Sequence, residues 1–388
     1  MAALIPRSGD YLTVHILAAP MAERTISFAR GAPSADILPH DAVREAAARA
    51  LESDWEKALS YGTGRGHPAL CEWIAGLHDA KPEQVMVTNG SMEAAALLFR
   101  HLVSEGDRVV IEQPTYDRTL LLLQQAGAQF APAPLESDGI DPAAVEAACS
   151  GGPVSLAHVI PNFHNPAGCT LALEKRDALV QLAAEHGFTL FEDDPYRLIC
   201  FEKESGKTML DMDTADRVIH ASSFSKSIGP GVRVGYLVGP EEQISTLAKR
   251  ANETYISPNM LAESIVLELC LSGGLDDNLK VVNAALRERR DALVTALQRH
   301  IPEATFVVPE GGYFLWLDLE GDVDTKALLA EAKEEGVTFV AGPDFMLEGG
   351  GSSLRLSFAP VPAEDVDEGV QRLARALSRL RETSAQAA

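Results

Sequence analysis

Arg217-Val-Ile-His-Ala221-Ser-Ser-Phe-Ser-Lys226 begins as an apolar, β-branched run and ends in three hydroxyls and a lysine. The run 217–221 reads as a short strand, with the polar cluster directly after it. Four other segments repeat the arrangement. Residues 84–88 lead into Asn89-Gly90-Ser91, 108–111 into Glu112-Gln113-Pro114, 154–160 into Pro161-Asn-Phe-His-Asn-Pro166, and 188–191 into Glu192-Asp193-Asp194. Helical runs at 92–102 and 173–186 lie between them, the second stopped by Gly187 as a C-cap. Strands alternating with helices predict an α/β fold around a largely parallel sheet with both faces covered. In such sheets ligands sit beyond the carboxyl ends of the strands, so the five clusters are expected to converge on one pocket.

The pattern changes after about residue 250. A helical stretch at 279–297 rich in Arg and Glu precedes apolar runs at 305–308, 313–319 and 353–358, with a helix at 326–334. This predicts a smaller α+β domain. The expected division is an N-terminal arm at 1–45 packed near the small domain, a large domain at 46–275 and the small domain at 276–388. A chain of 388 residues, 46% of them hydrophobic, can bury cores of that size. Its formal charge of -23 argues against a nucleic-acid partner, and no apolar run reaches the ~20 residues that span a bilayer. The first 25 residues lack the basic start of a signal peptide. Five scattered cysteines without a C-x-x-C pair fit a reducing cytoplasm, and no cysteine or histidine spacing suggests a metal site.

Lys226 is the centre of the chemistry. A lysine that forms a Schiff base must be neutral, which burial and nearby positive charge favour. Ser223, Ser225 and Arg233 around Gly229-Pro230-Gly231 offer hydroxyls and a guanidinium for a phosphate. Asn89-Gly90-Ser91-Met92, where a strand turns into a helix, offers backbone N–H groups to the same anion. Asp193 is placed to face a pyridine nitrogen, with Tyr196 and Asn165 able to reach a ring hydroxyl, and Arg355 in Ser-Ser-Leu-Arg-Leu-Ser-Phe to grip a carboxylate. Each has a plainer reading when taken alone: a solvated lysine, an N-cap serine, turn acids, a solvated strand arginine. Gly62-Thr-Gly64-Arg-Gly66 and Gly206-Lys207-Thr208 lack the full spacing of nucleotide-binding loops.

Ser-Phe-Ser-Lys226-(x)3-Pro-Gly-x-Arg233-x-Gly-Tyr, Pro161-Asn-Phe-His-Asn165-Pro-Ala-Gly168 and Glu192-Asp-Asp-Pro-Tyr196 together resemble the class I/II aminotransferases of PLP-dependent fold type I. The resemblance runs from about Tyr61 to Arg355. Ile26-Ser-Phe-Ala-Arg-Gly-Ala-Pro33 places it near the 2-aminoadipate and kynurenine aminotransferase branch and the related domain of MocR-type regulators. It implies pyridoxal 5'-phosphate as cofactor. It further implies Tyr116 stacked on the cofactor ring, Tyr61 reaching the phosphate of a partner subunit's cofactor in a homodimer, and Gly31 in a segment that closes over substrate. Lys226, Asp193 and Tyr196 become the catalytic residues. Gly90, Ser91, Met92, Tyr116, Asn165, Ser223, Ser225, Arg233 and Tyr61 join them as cofactor contacts, and Arg355, Gly31 and Asn165 as substrate contacts. The implied reaction is a ping-pong transfer of an amino group between an L-amino acid and a 2-keto acid.

Three positions depart from the family pattern. His164 replaces the usual glutamine, Met92 follows Gly-Ser where glutamine is common, and Arg30 stands where relatives carry a small residue. Arg30 either favours an anionic substrate or serves a salt bridge. The same residues also suit elimination, racemisation, cyclisation or oxidation, and a non-catalytic ligand sensor is a reading of a different class.

Overall fold

The computed structural model describes residues 25–202 and 205–387. The strands are β1 (Ile26–Ser27), β2 (Val85–Thr88), β3 (Arg108–Gln113), β4 (Gln129–Glu136), β5 (Gly139–Ile140), β6 (Val154–Val159), β7 (Thr189–Asp193), β8 (Val218–Ser223), β9 (Gly235–Val238), β10 (Phe314–Asp318), β11 (Val337–Thr338), β12 (Val340–Ala341) and β13 (Ser353–Ser357). Eight form one sheet in the order β2-β9-β8-β7-β6-β3-β4-β5. β8, β7, β6, β3 and β4 run parallel, while β9 is antiparallel to both its neighbours and β5 to β4.

The chain moves outward from β3 to β4, then returns to place β6 on the other side of β3. The strand order therefore reverses between β3 and β6, and a crevice opens where their following loops part. Even β2 and β9, at one edge of the sheet, are buried at every residue, because helices cover both of their faces. Met86, Ile111, Phe191 and Ile219 meet the helices Ser91–Leu102 and Glu241–Tyr255 on one face. Val110, Ala157, Leu190 and Val218 meet Pro142–Ser150 and Leu173–His186 on the other. Gly187 ends the latter helix with φ 77°, the left-handed cap expected of a glycine.

Six of these strands were not expected: the two-residue β1, β5, β11 and β12, and the longer β4 and β9. β4 reads Gln-Phe-Ala-Pro-Ala-Pro-Leu-Glu, and prolines argue against a strand; it is tolerated because only the two-residue β5 covers its outer side. β9 is four residues long and opens on a glycine, which weakens a strand's signal in the sequence. Conversely, the run 305–308 forms no strand and joins β10 only through a bridge from Thr305 to Asp318.

The second core gathers the sheet β10-β13-β12, the parallel pair β1 and β11, and the helices Gly274–His300, Thr325–Glu334 and Ala363–Ala387. Ile26, Phe28 and Ile37 of the N-terminal segment belong to this core. Phe28 is fully buried, its carbonyl accepts from Ser357 N at 2.7 Å, and its burial contributes roughly 1.5–3 kcal/mol. A side chain at Gly369 would meet the Phe28 ring at 2.6 Å, so that glycine lets the C-terminal helix lie over it. The helix His40–Ser53 packs elsewhere, giving Ala46 to the core around Ile74 and Val85.

Candidate active site

Loops after β2, β3, β6, β7 and β8 meet at a cleft of about 150 Å³. Ser91, Met92, Tyr116, Asn165, Asp193, Tyr196, Ser223, Ser225, Lys226 and Arg233 all line it. Convergence follows from the parallel sheet, since each cluster occupies the same end of its strand.

One end of the cleft is built for an anion. Gly90 has φ 90°, and a side chain there would collide with the Arg233 guanidinium. Arg233 Nη2 donates to Asn89 O at 3.0 Å, and Arg233 itself holds φ 50°, a conformation uncommon for a non-glycine residue. Gly235 on β9 sits so close to the turn that a Cβ would meet Ser91 N at 2.6 Å. The Ser223 hydroxyl is engaged locally, donating to Val234 O at 3.3 Å and accepting from Ser225 N at 3.1 Å. Ser225 differs: its Oγ is buried with no partner among the described residues. That hydroxyl, Arg233 and the N-terminus of the helix Ser91–Leu102 form an anion cradle.

The other polar groups lie deeper. Asp193 Oδ2 approaches His158 Nε2 at 3.4 Å, which also lies 3.4 Å from Thr119 Oγ1. Asp193 Oδ1 has no partner among the described residues. Asn165 Oδ1 accepts from Arg355 Nη1 at 2.9 Å, and Arg355 Nη2 donates to Ala29 O at 2.8 Å. The Arg355 guanidinium is stacked between Phe314 and Phe345, 4.3 and 4.8 Å from their ring centres, and its Nε has no partner among the described residues. Lys226 Nζ donates to Gly31 O at 2.7 Å and stands 5.4 and 5.2 Å from the ring centres of Tyr196 and Tyr313. Tyr313 OH donates to Lys226 O at 2.8 Å, so the second core holds the lysine by its own peptide.

Desolvation pushes the Lys226 amine down to about 8; Arg355 and Arg233 push the same way and Asp193 opposes them. Burial lifts the Tyr116 phenol to about 12, with Asp117 and Asp193 adding to it, and holds Tyr196 well above the ordinary phenol value. Arg355 is lowered by burial, with Tyr196, Asp117 and Tyr116 opposing.

Tyr61 is the exception among the expected residues. It is 84% exposed and lies beside Tyr255 and Asn259, outside the cleft of its own chain. His158, Thr119 and Tyr313 were not expected. His158 sits in mid-strand, and only the register of β6 on β7 brings it beside Asp193. Glu192, Asp194 and His220 bring donor atoms within 4.8 Å of one another, but on the reverse face of β7. The Glu192 carboxylate there already accepts from Met209 N, Leu210 N and His220 Nδ1.

The unpartnered atoms fit a phosphorylated pyridine. Ser225 Oγ and Arg233 face one end, and the open Asp193 Oδ1 suits a protonated ring nitrogen. Residues 23–373 match the family model described as aminotransferase class I and II. The chain belongs to this family. The 2-aminoadipate transaminase of Thermus thermophilus is 34% identical over 92% of this chain and 90% of its own. Aromatic-amino-acid aminotransferase 1 of Thermococcus litoralis is 32% identical over 91% and 88%. The crystal structure of α-aminoadipate aminotransferase from Thermus thermophilus, in complex with N-(5'-phosphopyridoxyl)-L-leucine, superposes with a TM-score of 0.88. It is 33% identical and covers 92% of this chain and 93% of that one. This aminotransferase has the type I fold, uses pyridoxal phosphate and transfers amino groups between amino acids and keto acids. Among its described residues no helix is long and apolar enough to cross a membrane, and no disulfide joins its cysteines.

Proposed function

We propose that Lys226 carries the cofactor and moves the Cα proton, in a cytoplasmic homodimer working by a ping-pong cycle. The observation that carries this is the amine of Lys226, placed in the cleft beside the anion cradle and within hydrogen-bond reach of Gly31 O, with its pKa lowered by desolvation and by Arg355 and Arg233. Ser225, Arg233 and the N–H groups at Gly90 and Ser91 would hold the phosphate. Met92 and Ser223 would shape the turns around it. Asp193, steadied by His158, would hold the ring nitrogen. Tyr116 would cover a ring face, and Asn165 and Tyr196 the ring hydroxyl. When bound, pyridoxal phosphate supplies an electron sink for the carbanion formed at the substrate Cα.

Lys226 then acts as base and acid, a task that its lowered pKa suits. Arg355, buried and stacked, would hold the substrate carboxylate, and Gly31 would lie over the substrate. Exposed Leu51, Trp55, Leu59 and Tyr61 support a partner-covered surface from which Tyr61 reaches the other subunit's phosphate. The second core, carrying the N-terminal arm, would be the body that closes. Arg30 is exposed and sits between Ala29 and Gly31, whose carbonyls meet Arg355 and Lys226. Its charge favours donors with an anionic side chain.

Borohydride reduction of the cofactor-loaded protein, followed by peptide mass spectrometry, tests the assignment. The adduct is expected on Lys226, and the visible band should bleach when an amino donor is added without acceptor. An adduct on another lysine, or full turnover by Lys226→Ala, would sink the proposal.

A further inference from the structure

The loop after β6 is fastened inside the protein at two points, neither of which touches the cleft. The first is Asn162, which is fully buried. Its Nδ2 donates to Asp194 Oδ2 at 2.7 Å, and its Oδ1 accepts from Arg176 Nη2 at 2.7 Å. Arg176, 1% exposed, is itself immobilised by donating to Leu171 O, Lys207 O and Pro161 O. Asp194 is the residue after Asp193 and points to the opposite face, so one cannot shift without the other. The other Asp194 oxygen has no partner among the described residues, which leaves Asn162 as its side-chain hydrogen-bond partner.

The second point is His164. Its Nδ1 accepts from Ala167 N at 3.2 Å, so its Nε2 carries the proton and donates to Glu112 Oε2 at 3.0 Å. Glu112 also accepts from Ile160 N at 2.9 Å, and lies four residues before Tyr116 on the strand that leads to it. Asn165 follows His164 directly and accepts from Arg355. One loop thus connects the strand of Asp193, the strand leading to Tyr116, and Arg355. An apolar contact would hold these elements together without fixing their register. Buried hydrogen bonds are directional, and a broken one leaves a desolvated polar group unpaired, so they do fix it.

We infer that Asn162 and His164 are positioning residues of the transamination, setting Asn165 in register with Asp193, Tyr116 and Arg355. This rests on the roles proposed above for those four residues. The chemistry suggests a reciprocal exchange as the test. Asn162→Asp alone sets two carboxylates against each other. Combined with Asp194→Asn, the exchanged carboxylate accepts from Arg176 and the exchanged amide donates back to it.

Holoenzyme variants would be compared by KM and kcat, by the pH midpoint of the visible cofactor band, and by melting temperature. Asn162→Asp should raise KM for the amino donor about tenfold and move the band midpoint, and the double exchange should return both to near wild type. His164→Gln keeps one donor and one acceptor and should behave like wild type, whereas His164→Leu should lose about tenfold in kcat/KM. The His164 pair serves as the readout if Asn162→Asp does not fold. Variants that lose melting temperature while KM and band midpoint stay put would overturn the inference, as would a double exchange no better than the single one. Lys226→Ala in parallel separates the two failures. If it abolishes turnover while the loop variants are silent, only the loop inference falls; if it turns over, the site assignment falls too.

Discussion

Lys226 and Gly31 are 195 residues apart in sequence, yet the amine donates to the glycine carbonyl at 2.7 Å. Gly31 can come so near because it has no side chain: a Cβ would meet the Phe314 ring at 2.7 Å. Phe314 in turn underlies the Arg355 guanidinium at 4.3 Å. Gly31→Val should therefore displace both the arm and Arg355, lowering kcat/KM about a hundredfold in steady-state assays. An unchanged value would show that the arm does not set the geometry of the cleft.

The lowered Lys226 pKa gives a signed pH prediction. Only the neutral amine captures cofactor, so the rate of covalent loading of apoprotein should rise with pH through a midpoint near 8. Arg355→Gln removes a cation that favours the neutral form, and the midpoint should move up. Asp193→Asn removes an anion that favours the charged form, and it should move down. Stopped-flow absorbance across a pH series measures all three.

Arg355 makes two divergent hydrogen bonds, to Asn165 Oδ1 and Ala29 O, from one planar group held between two rings. A lysine keeps the charge but cannot serve that fork. Arg355→Lys should cost about 1.5–3 kcal/mol of transition-state binding, read as a kcat/KM loss of about 10- to 150-fold.

A subunit hybrid addresses the exposed Tyr61. Lys226→Ala and Tyr61→Leu chains, each impaired alone, are co-expressed. If Tyr61 serves the opposite subunit, each mixed dimer holds one intact site, and the preparation should recover about a quarter of wild-type activity. No recovery would mean that Tyr61 acts within its own chain.

Phe28 offers a stability test away from the chemistry. Its fully buried ring packs in the second core with Leu293, Phe358 and Val370. Phe28→Ala should cost about 3–5 kcal/mol in denaturant unfolding of that body. A cost below about 1 kcal/mol would show that the arm is not part of the core.

Much of this layout was legible in the sequence because the informative residues are local. A strand followed at once by hydroxyls, glycines or acids marks its own carboxyl end, and a parallel sheet brings such ends together. Lys226, Asp193, Ser91, Asn165 and Arg233 share a cleft for that reason. What escaped notice depends on pairing between distant segments. His158 is an ordinary strand histidine until β6 is laid on β7 in register, and Tyr313 an ordinary aromatic until β10 comes to rest against the lysine loop. The division of labour between Ser223 and Ser225 rests on which hydroxyl is already taken by the backbone. β4 was hidden by its prolines, acceptable only because its outer side is barely paired.

Gly369 lies near the far end of the sequence, under the ring of Phe28, and three residues after Phe28 comes the carbonyl that meets Lys226. Bulk added at Gly369 would press on the Phe28 ring, on the same arm that carries the Gly31 carbonyl. A laboratory selection for altered donor preference would thus enrich changes in the helix Ala363–Ala387 as well as in the cleft, and a mutagenesis library confined to residues touching the cofactor would miss them.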